Sequence, residues 1–236
     1  MRTVDAALIL ATAASALEVC PRARADDSAA ANASERGFGV TASFFEFEFF
    51  GDNQVSPSTG TFGQPGISDL HYQDAFGTGQ GFEAGVYYTF NRYLRAGANL
   101  VRETAPGRHT AGGEFPQGIT FDDFHLQGLV LAGQARYPLG RFAPYVLLEL
   151  GGARISALSA DTGSGSFPYW DSTHVPFLEI GVGSGFRLTS KVALTFDARV
   201  QDTGDTGHPT PAAGLVSTAT GTAATMFSIG IAIDLH

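Results

Sequence analysis

The sequence predicts an all-β protein, an eight-stranded antiparallel up-and-down transmembrane β-barrel. Three observations predict it. Apolar residues recur at every second position in one segment after another, as in extended strands whose successive side chains point to opposite faces. The connections between these segments alternate between tight and long. The face opposite the oily one carries glycine, alanine, serine and threonine with a few charges of both signs. A solvated face would carry many lysines, yet the chain has a single lysine, Lys191.

Taken in order, the chain begins with a basic residue, Arg2, an apolar run AALILATAASA over 6–16, and Ala23-Arg24-Ala25. A run this short does not span a bilayer, which takes roughly 20 helical residues. With an A-x-A site behind it, the segment 1–25 reads as a secretory signal peptide. The only cysteine, Cys20, lies within it, so the remainder would have neither disulfides nor thiol chemistry. Residues 26–36, DDSAAANASER, read as a flexible leader, and 37–236 as one barrel domain.

The first strand starts at Phe38. Phe38, Val40, Ala42 and Phe44 share a face, but in FFEFEFF the phase changes, and Phe45, Phe47 and Phe49 fall on the other. A one-residue β-bulge near Phe44-Phe45 would return these rings to the oily face and aim Glu46 and Glu48 into the lumen. This is the favoured reading. Without a bulge, a strand that outruns the oily slab after about 9–11 residues would hold both carboxylates outward. The second and third strands place Phe82, Ala84, Val86, Tyr88, Phe90 and then Leu94, Ala96, Ala98, Leu100 on the apolar face. Two less tidy strands follow, near Gly128–Tyr137 and Pro144–Gly152. Leu178, Ile180, Val182, Phe186 and then Val192, Leu194, Phe196, Ala198, Val200 give the sixth and seventh. The last is the clearest, with Phe227, Ile229, Ile231, Ile233 and Leu235 against Ser228, Gly230, Ala232 and Asp234. Tight connections fall near Asn91-Arg92, Leu139-Gly140-Arg141 and Thr189-Ser190-Lys191. Long ones cover about 51–76, 103–122, 154–173 and 202–221.

Alternation alone fits either a soluble ligand-binding barrel, oily inside, or a membrane barrel, oily outside. The sparse polar face decides for the membrane. Its charges form a candidate lumen network of Glu83, Glu149, Glu179, Asp197 and Asp234 against Arg95, Arg136, Arg187 and Arg199. Eight strands leave an interior just wide enough for side chains to fill, and charges there need partners. Counting back from the turn near residue 190 sets Glu179 roughly level with Arg199. Tyr88, Phe90 and Tyr93 at one turn, and Tyr137, Phe142 and Tyr145 at another, read as interfacial aromatics.

Several function classes are excluded or left without support. The net charge is −9, and about −10 once 1–25 is set aside, which argues against nucleic acid. Gly181-Val182-Gly183-Ser184-Gly185 lies within an alternating strand, whereas a phosphate-cradling loop needs a strand, a glycine turn and a helix. Asp122, Asp123 and His125 lack a further ligand at metal-binding spacing. Asp171, Ser172, Thr173 and His174 are the nearest approach to a catalytic cluster, and no catalytic, cofactor or metal residue is assigned. Trp170, closing Phe167-Pro168-Tyr169-Trp170, reads as an interfacial anchor or a ligand-contacting loop tip.

The meander, together with RYPLGRFAPYVLLELGG (136–152), EIGVGSGFRLTSKVALTFDARV (179–200) and the alternating last strand, resembles the small OmpA-like branch of the outer-membrane β-barrels of Gram-negative bacteria. The likeness covers 37–236, without a peptidoglycan-binding domain. The family's usual terminal aromatic is replaced by His236, which bears on insertion. The resemblance implies a monomer in the bacterial outer membrane, in contact with lipids and lipopolysaccharide and delivered by periplasmic chaperones and the barrel-insertion machinery. It further implies a polar, largely plugged lumen and four surface loops with a structural or surface-interaction role, open to a loop-bound ligand. The alternatives are a narrow OmpW-like porin for small solutes, or a lipid A-modifying enzyme. The deacylases of that last class share a His-x-Ser-Asn segment that this chain lacks.

Overall fold

A computed structural model describes residues 36–51, 53–56, 70–112, 115–161, 163, 165–204 and 221–235. The expected signal peptide and nearly all of the leader lie outside the described residues, as does most of the fourth long connection. Eight long strands close a barrel: β1 (Gly37–Phe49), β4 (Gly79–Asn91), β5 (Leu94–Ala105), β8 (Phe124–Arg136), β9 (Phe142–Ile155), β12 (Thr173–Arg187), β13 (Val192–Thr203) and β14 (Ala223–Asp234). Each pairs antiparallel with its neighbours, and β1 seals the wall by pairing with both β4 and β14. Closure leaves no strand edge to meet lipid, where an unpaired backbone group costs several kcal/mol.

The greasy stripe faces out. Phe227 is 71% exposed and Leu131 68%, and Ile229 and Ile231 point the same way, while Glu179 and Arg199 are buried inside. At the short-turn end, the outward rings Phe38, Tyr88 and Phe90 meet edge to face, each neighbouring pair 5.0 Å apart. This suits a membrane–water boundary. Tyr145 is a correction to the aromatic grouping. It shares its face with Glu149, and its ring is buried in the lumen.

The expected bulge is absent. The pairing of β1 runs without interruption from Gly39 to Phe49 against β14 and from Gly37 to Phe47 against β4. Phe45 and Phe47, each 1% exposed, point into the barrel with Phe49. Glu46 and Glu48 point outward, and Thr78 donates a hydrogen bond to Glu48 at 3.2 Å. The strand keeps its phase, and it is the surroundings that change. At this height the outward positions of the neighbouring strands also turn polar, as Gln80, Arg102, Gln127, Arg154, His174 and Asp202 show. The wall has therefore passed out of the hydrocarbon. Below this ring the barrel is oily outside and polar inside, and above it the sidedness inverts to that of a water-soluble protein.

The long connections build the top of this inverted region. The first holds β2 (Gln54–Ser56), β3 (Leu70–His71) and one helical turn, α1 (Tyr72–Ala75). The second and third, expected as irregular loops, contribute β6 (His109–Gly112), β7 (Phe115–Phe121), β10 (Leu158–Asp161) and β11 (Ser166–Trp170). These join as one sheet in the order β11-β10-β7-β6. The barrel strands reach further into the loops than the sequence implies, so Glu103 stands in β5.

Inward rings lie across glycines of the adjacent strand. Phe45 faces Gly81, Phe47 faces Gly79, Gly39 faces Tyr87 and Gly183 faces Tyr145. A Cβ at Gly81 would collide with the Phe45 ring and stand 2.6 Å from the Arg102 carbonyl oxygen, which cannot swing away. Gly81→Ala is therefore expected to destabilise the barrel by about 1–3 kcal/mol through overpacking, measured by guanidinium unfolding in lipid vesicles.

Candidate functional site

The interior is layered. The layer at the long-connection end is apolar. Phe45, Phe47 and Phe49 from β1, Phe124 and Leu126 from β8, and Phe177 from β12 converge beneath Tyr72, Phe76, Phe121 and Trp170 from the connections. Phe49 is its hub, with ring centroids 5.4 Å from Phe47, 5.4 Å from Tyr72, 5.9 Å from Phe76 and 5.3 Å from Phe124. Trp170 is 4% exposed, and its indole N–H donates to the Ser156 carbonyl at 3.2 Å. It is a lid residue packed near Tyr72, which corrects the reading of it as an interfacial anchor or ligand-contacting tip. The lumen is thus polar only below this layer.

The central layer is built on Arg199. Its Nη1 binds Glu83 at 2.7 Å and Glu179 at 2.8 Å, and its Nη2 binds Asp197 at 3.0 Å. Arg199 pairs in register with Gly181, two residues along from Glu179, and the glycine leaves room for the diagonal reach. Asp197 also accepts hydrogen bonds from Ser228 at 2.6 Å and from the Tyr145 hydroxyl. Asn99 bridges Glu83 and Glu149, at 3.0 Å from the latter. One guanidinium thus binds three carboxylates drawn from three strands, and Asn99 ties a fourth, Glu149, to the group, all within a buried space. Glu103 sits where this layer meets the apolar one, with the Gln201 amide 3.4 Å away. A cavity of only about 50 Å³ remains in the layer.

The third layer is the mouth at the short-turn end. Arg95 binds Asp234 at 2.9 Å and Thr89 at 3.1 Å, with its guanidinium 3.9 Å from the Tyr87 ring centre. The Tyr87 hydroxyl donates to the same Asp234 oxygen at 2.8 Å. Arg136 and Arg187, the other two arginines of the sequence-derived set, form no ion pair among the described residues. They line a cavity of about 290 Å³ at this mouth.

The nine charges named from the sequence therefore divide by height into a carboxylate-rich centre and a basic mouth. Sequence reasoning missed Tyr87, Tyr145, Asn99 and Ser228, although each occupies an alternate inward position that the strand phase identifies. The residues weighed and left unassigned as metal or catalytic groups have these surroundings. His125 meets Thr104 at 3.1 Å and Asp123 accepts from the Gly107 backbone at 3.2 Å. His174 faces outward opposite Arg154, whose guanidinium binds Ser172 at 3.0 Å.

Comparison with known proteins follows this geometry. The model of a family described as outer membrane protein beta-barrel domain matches residues 6–232. No curated protein shows significant similarity. Among solved structures, Neisserial surface protein A is similar at a TM-score of 0.51 and 16% identity, covering 84% of this chain and 97% of that one. The outer membrane protein OprG from Pseudomonas aeruginosa gives 0.48 at 11% identity, covering 84% and 95%. The outer membrane protease OmpT from Escherichia coli gives 0.42 at 11% identity, covering 85% and 95%. Likeness at these identities is one of fold.

Proposed function

The chain belongs to the outer membrane protein β-barrel family and lies in the bacterial outer membrane, and from that premise we propose that it is a non-enzymatic, non-conducting barrel that displays a folded loop platform at the cell surface. The observation that carries this reading is the apolar layer. Packed rings from the wall and from three of the extracellular elements, α1, β7 and β11, fill the section above the membrane, and an ion crossing it would have to shed its water against hydrocarbon. The Arg199 cluster narrows the section below. The loop sheet β11-β10-β7-β6 stands on this base as the surface offered to outside partners. The wall would contact outer-membrane lipids and lipopolysaccharide. Periplasmic chaperones and the barrel-insertion machinery would deliver the chain as a monomer.

The test is planar-bilayer recording on the refolded chain. Insertion without stable current steps is expected. Reproducible steps of fixed size would overturn the reading in favour of a narrow porin for small solutes. An altered acyl pattern of lipid A in cells that carry the gene, compared with cells that lack it, would overturn the non-enzymatic part.

A further inference from the structure

We propose that the mouth at the short-turn, periplasmic end of the barrel is a binding vestibule for a phosphate-bearing anion. Among the described residues, the cavity of about 290 Å³ there is lined by Arg92, Arg95, Arg136, Arg141, Arg187 and Lys191, against the single side-chain carboxylate of Asp234. From residue 37 onward the chain has ten lysines and arginines, and six of them line this cavity. They gather in a protein whose net charge is −9, so their crowding is not a by-product of general basicity.

The one acid does not neutralise them. Asp234 is engaged by Arg95 and Tyr87 on one oxygen. Arg136 is the most telling member. It is the last residue of β8 and occupies an inward position. Its Nε is buried without a hydrogen-bond partner, as is that of Arg92. Its Nη2 lies over Gly185, where an added Cβ would stand 3.9 Å away, in ordinary contact. Among the described residues no side chain accepts a hydrogen bond from it.

Like charges held this close repel, and buried donors without acceptors are costly. A bound oxyanion relieves both. Arginine's planar fork matches phosphate geometry with two parallel hydrogen bonds. Five arginines and a lysine around one chamber therefore select phosphate over a halide or a neutral solute. Two sources share this chemistry, a free phosphate compound of the periplasm and the headgroup of an anionic phospholipid in the adjoining leaflet.

The test uses the full chain refolded into phosphatidylcholine nanodiscs and titrated calorimetrically with inorganic pyrophosphate at low ionic strength. Saturable binding is expected. The double variant Arg136→Gln/Arg187→Gln is expected to weaken it about tenfold or more, since it removes two charge-assisted contacts. Asp234→Asn, which removes the one competing side-chain carboxylate among the described lining residues, is expected to strengthen it. A role in folding alone would not produce these opposite signs. Intact folding is checked for each variant by gel mobility, boiled against unboiled. If the double variant fails to fold, Arg141→Gln/Lys191→Gln at the exposed rim carries the same expectation. Native mass spectrometry in nanodiscs doped with phosphatidylglycerol separates the sources. One phosphatidylglycerol retained by the wild type and lost by the variant assigns the headgroup, and pyrophosphate binding without such retention assigns a free oxyanion. Pyrophosphate affinity that is undetectable, or unchanged in the folded double variant, together with equal lipid retention, overturns the proposal.

Discussion

Arg199→Met is expected to lower the stability of the folded barrel by about 3–5 kcal/mol, because it leaves buried charges without their partner. Methionine keeps much of the arginine's stem, so little apolar packing is lost. What is lost is the one cation within 3.0 Å of Glu83, Glu179 and Asp197 at once. All three are buried, and water admitted in place of the guanidinium would bring no positive charge to offset theirs. Guanidinium unfolding in lipid vesicles measures the loss. The decisive comparison is with the triple variant Glu83→Gln/Glu179→Gln/Asp197→Asn. In that background Arg199→Met is expected to cost less than about 1 kcal/mol, since the carboxylates it would strand are gone. Equal costs in both backgrounds would show that Arg199 does not act through its pairing with these carboxylates. Arg199→Lys is expected to fall between the two, because an ammonium lacks the fork that spreads two nitrogens over three carboxylates.

The same cluster shows how much the sequence disclosed. Two-residue alternation identified the eight barrel strands and the outward stripe, because Phe227, Ile229 and Ile231 contrast with Ser228 and Gly230 in any environment. It also set Glu83, Glu149, Glu179, Asp197 and Arg199 on inward positions. It did not reveal the apolar upper layer. Alternation detects contrast between faces, and just below the polar ring in β8 both faces are oily, with Leu129 and Leu131 outside and Val130 inside. Phenylalanine looks alike in sequence whether it meets lipid or a packed interior. The favoured bulge in β1 assumes hydrocarbon along the whole strand, and the other reading, a strand that outruns the oily slab and holds Glu46 and Glu48 outward, is the one the structure shows. The barrel strands have 12–15 residues, whereas a membrane crossing uses about 9–11. The excess stands above the bilayer, where the ordinary rule of oily inside and polar outside returns. The signal that could have found this was outward polarity at one height, with Glu46, Gln80, Arg102 and Gln127 appearing in successive strands. The loop sheet was hidden for another reason. β6 and β10 have only four residues each, too few for a period to be seen.

Phe49→Ala tests that inversion of sidedness, with an expected cost of about 3–5 kcal/mol for emptying a ring-sized space in a packed interior. Phe49 is 7% exposed and joins β1 to Tyr72, Phe76 and Phe124. Its removal takes away the seat of α1 as well as its own contacts. Phe50, the next residue, points outward at the height of the polar ring and is 40% exposed, so Phe50→Ala is expected to cost under about 1 kcal/mol. Unfolding in vesicles gives the two values, and limited proteolysis gives their location. In the Phe49→Ala protein the first long connection is expected to become the earliest cleaved, while the unboiled protein still migrates as a closed barrel. Wall closure depends on the strand ladder, most of whose β1 pairs lie below the new cavity. Equal and small effects at 49 and 50 would mean that the rings above the membrane are not held as a packed core. The lumen would then lack the seal on which the non-conducting reading depends.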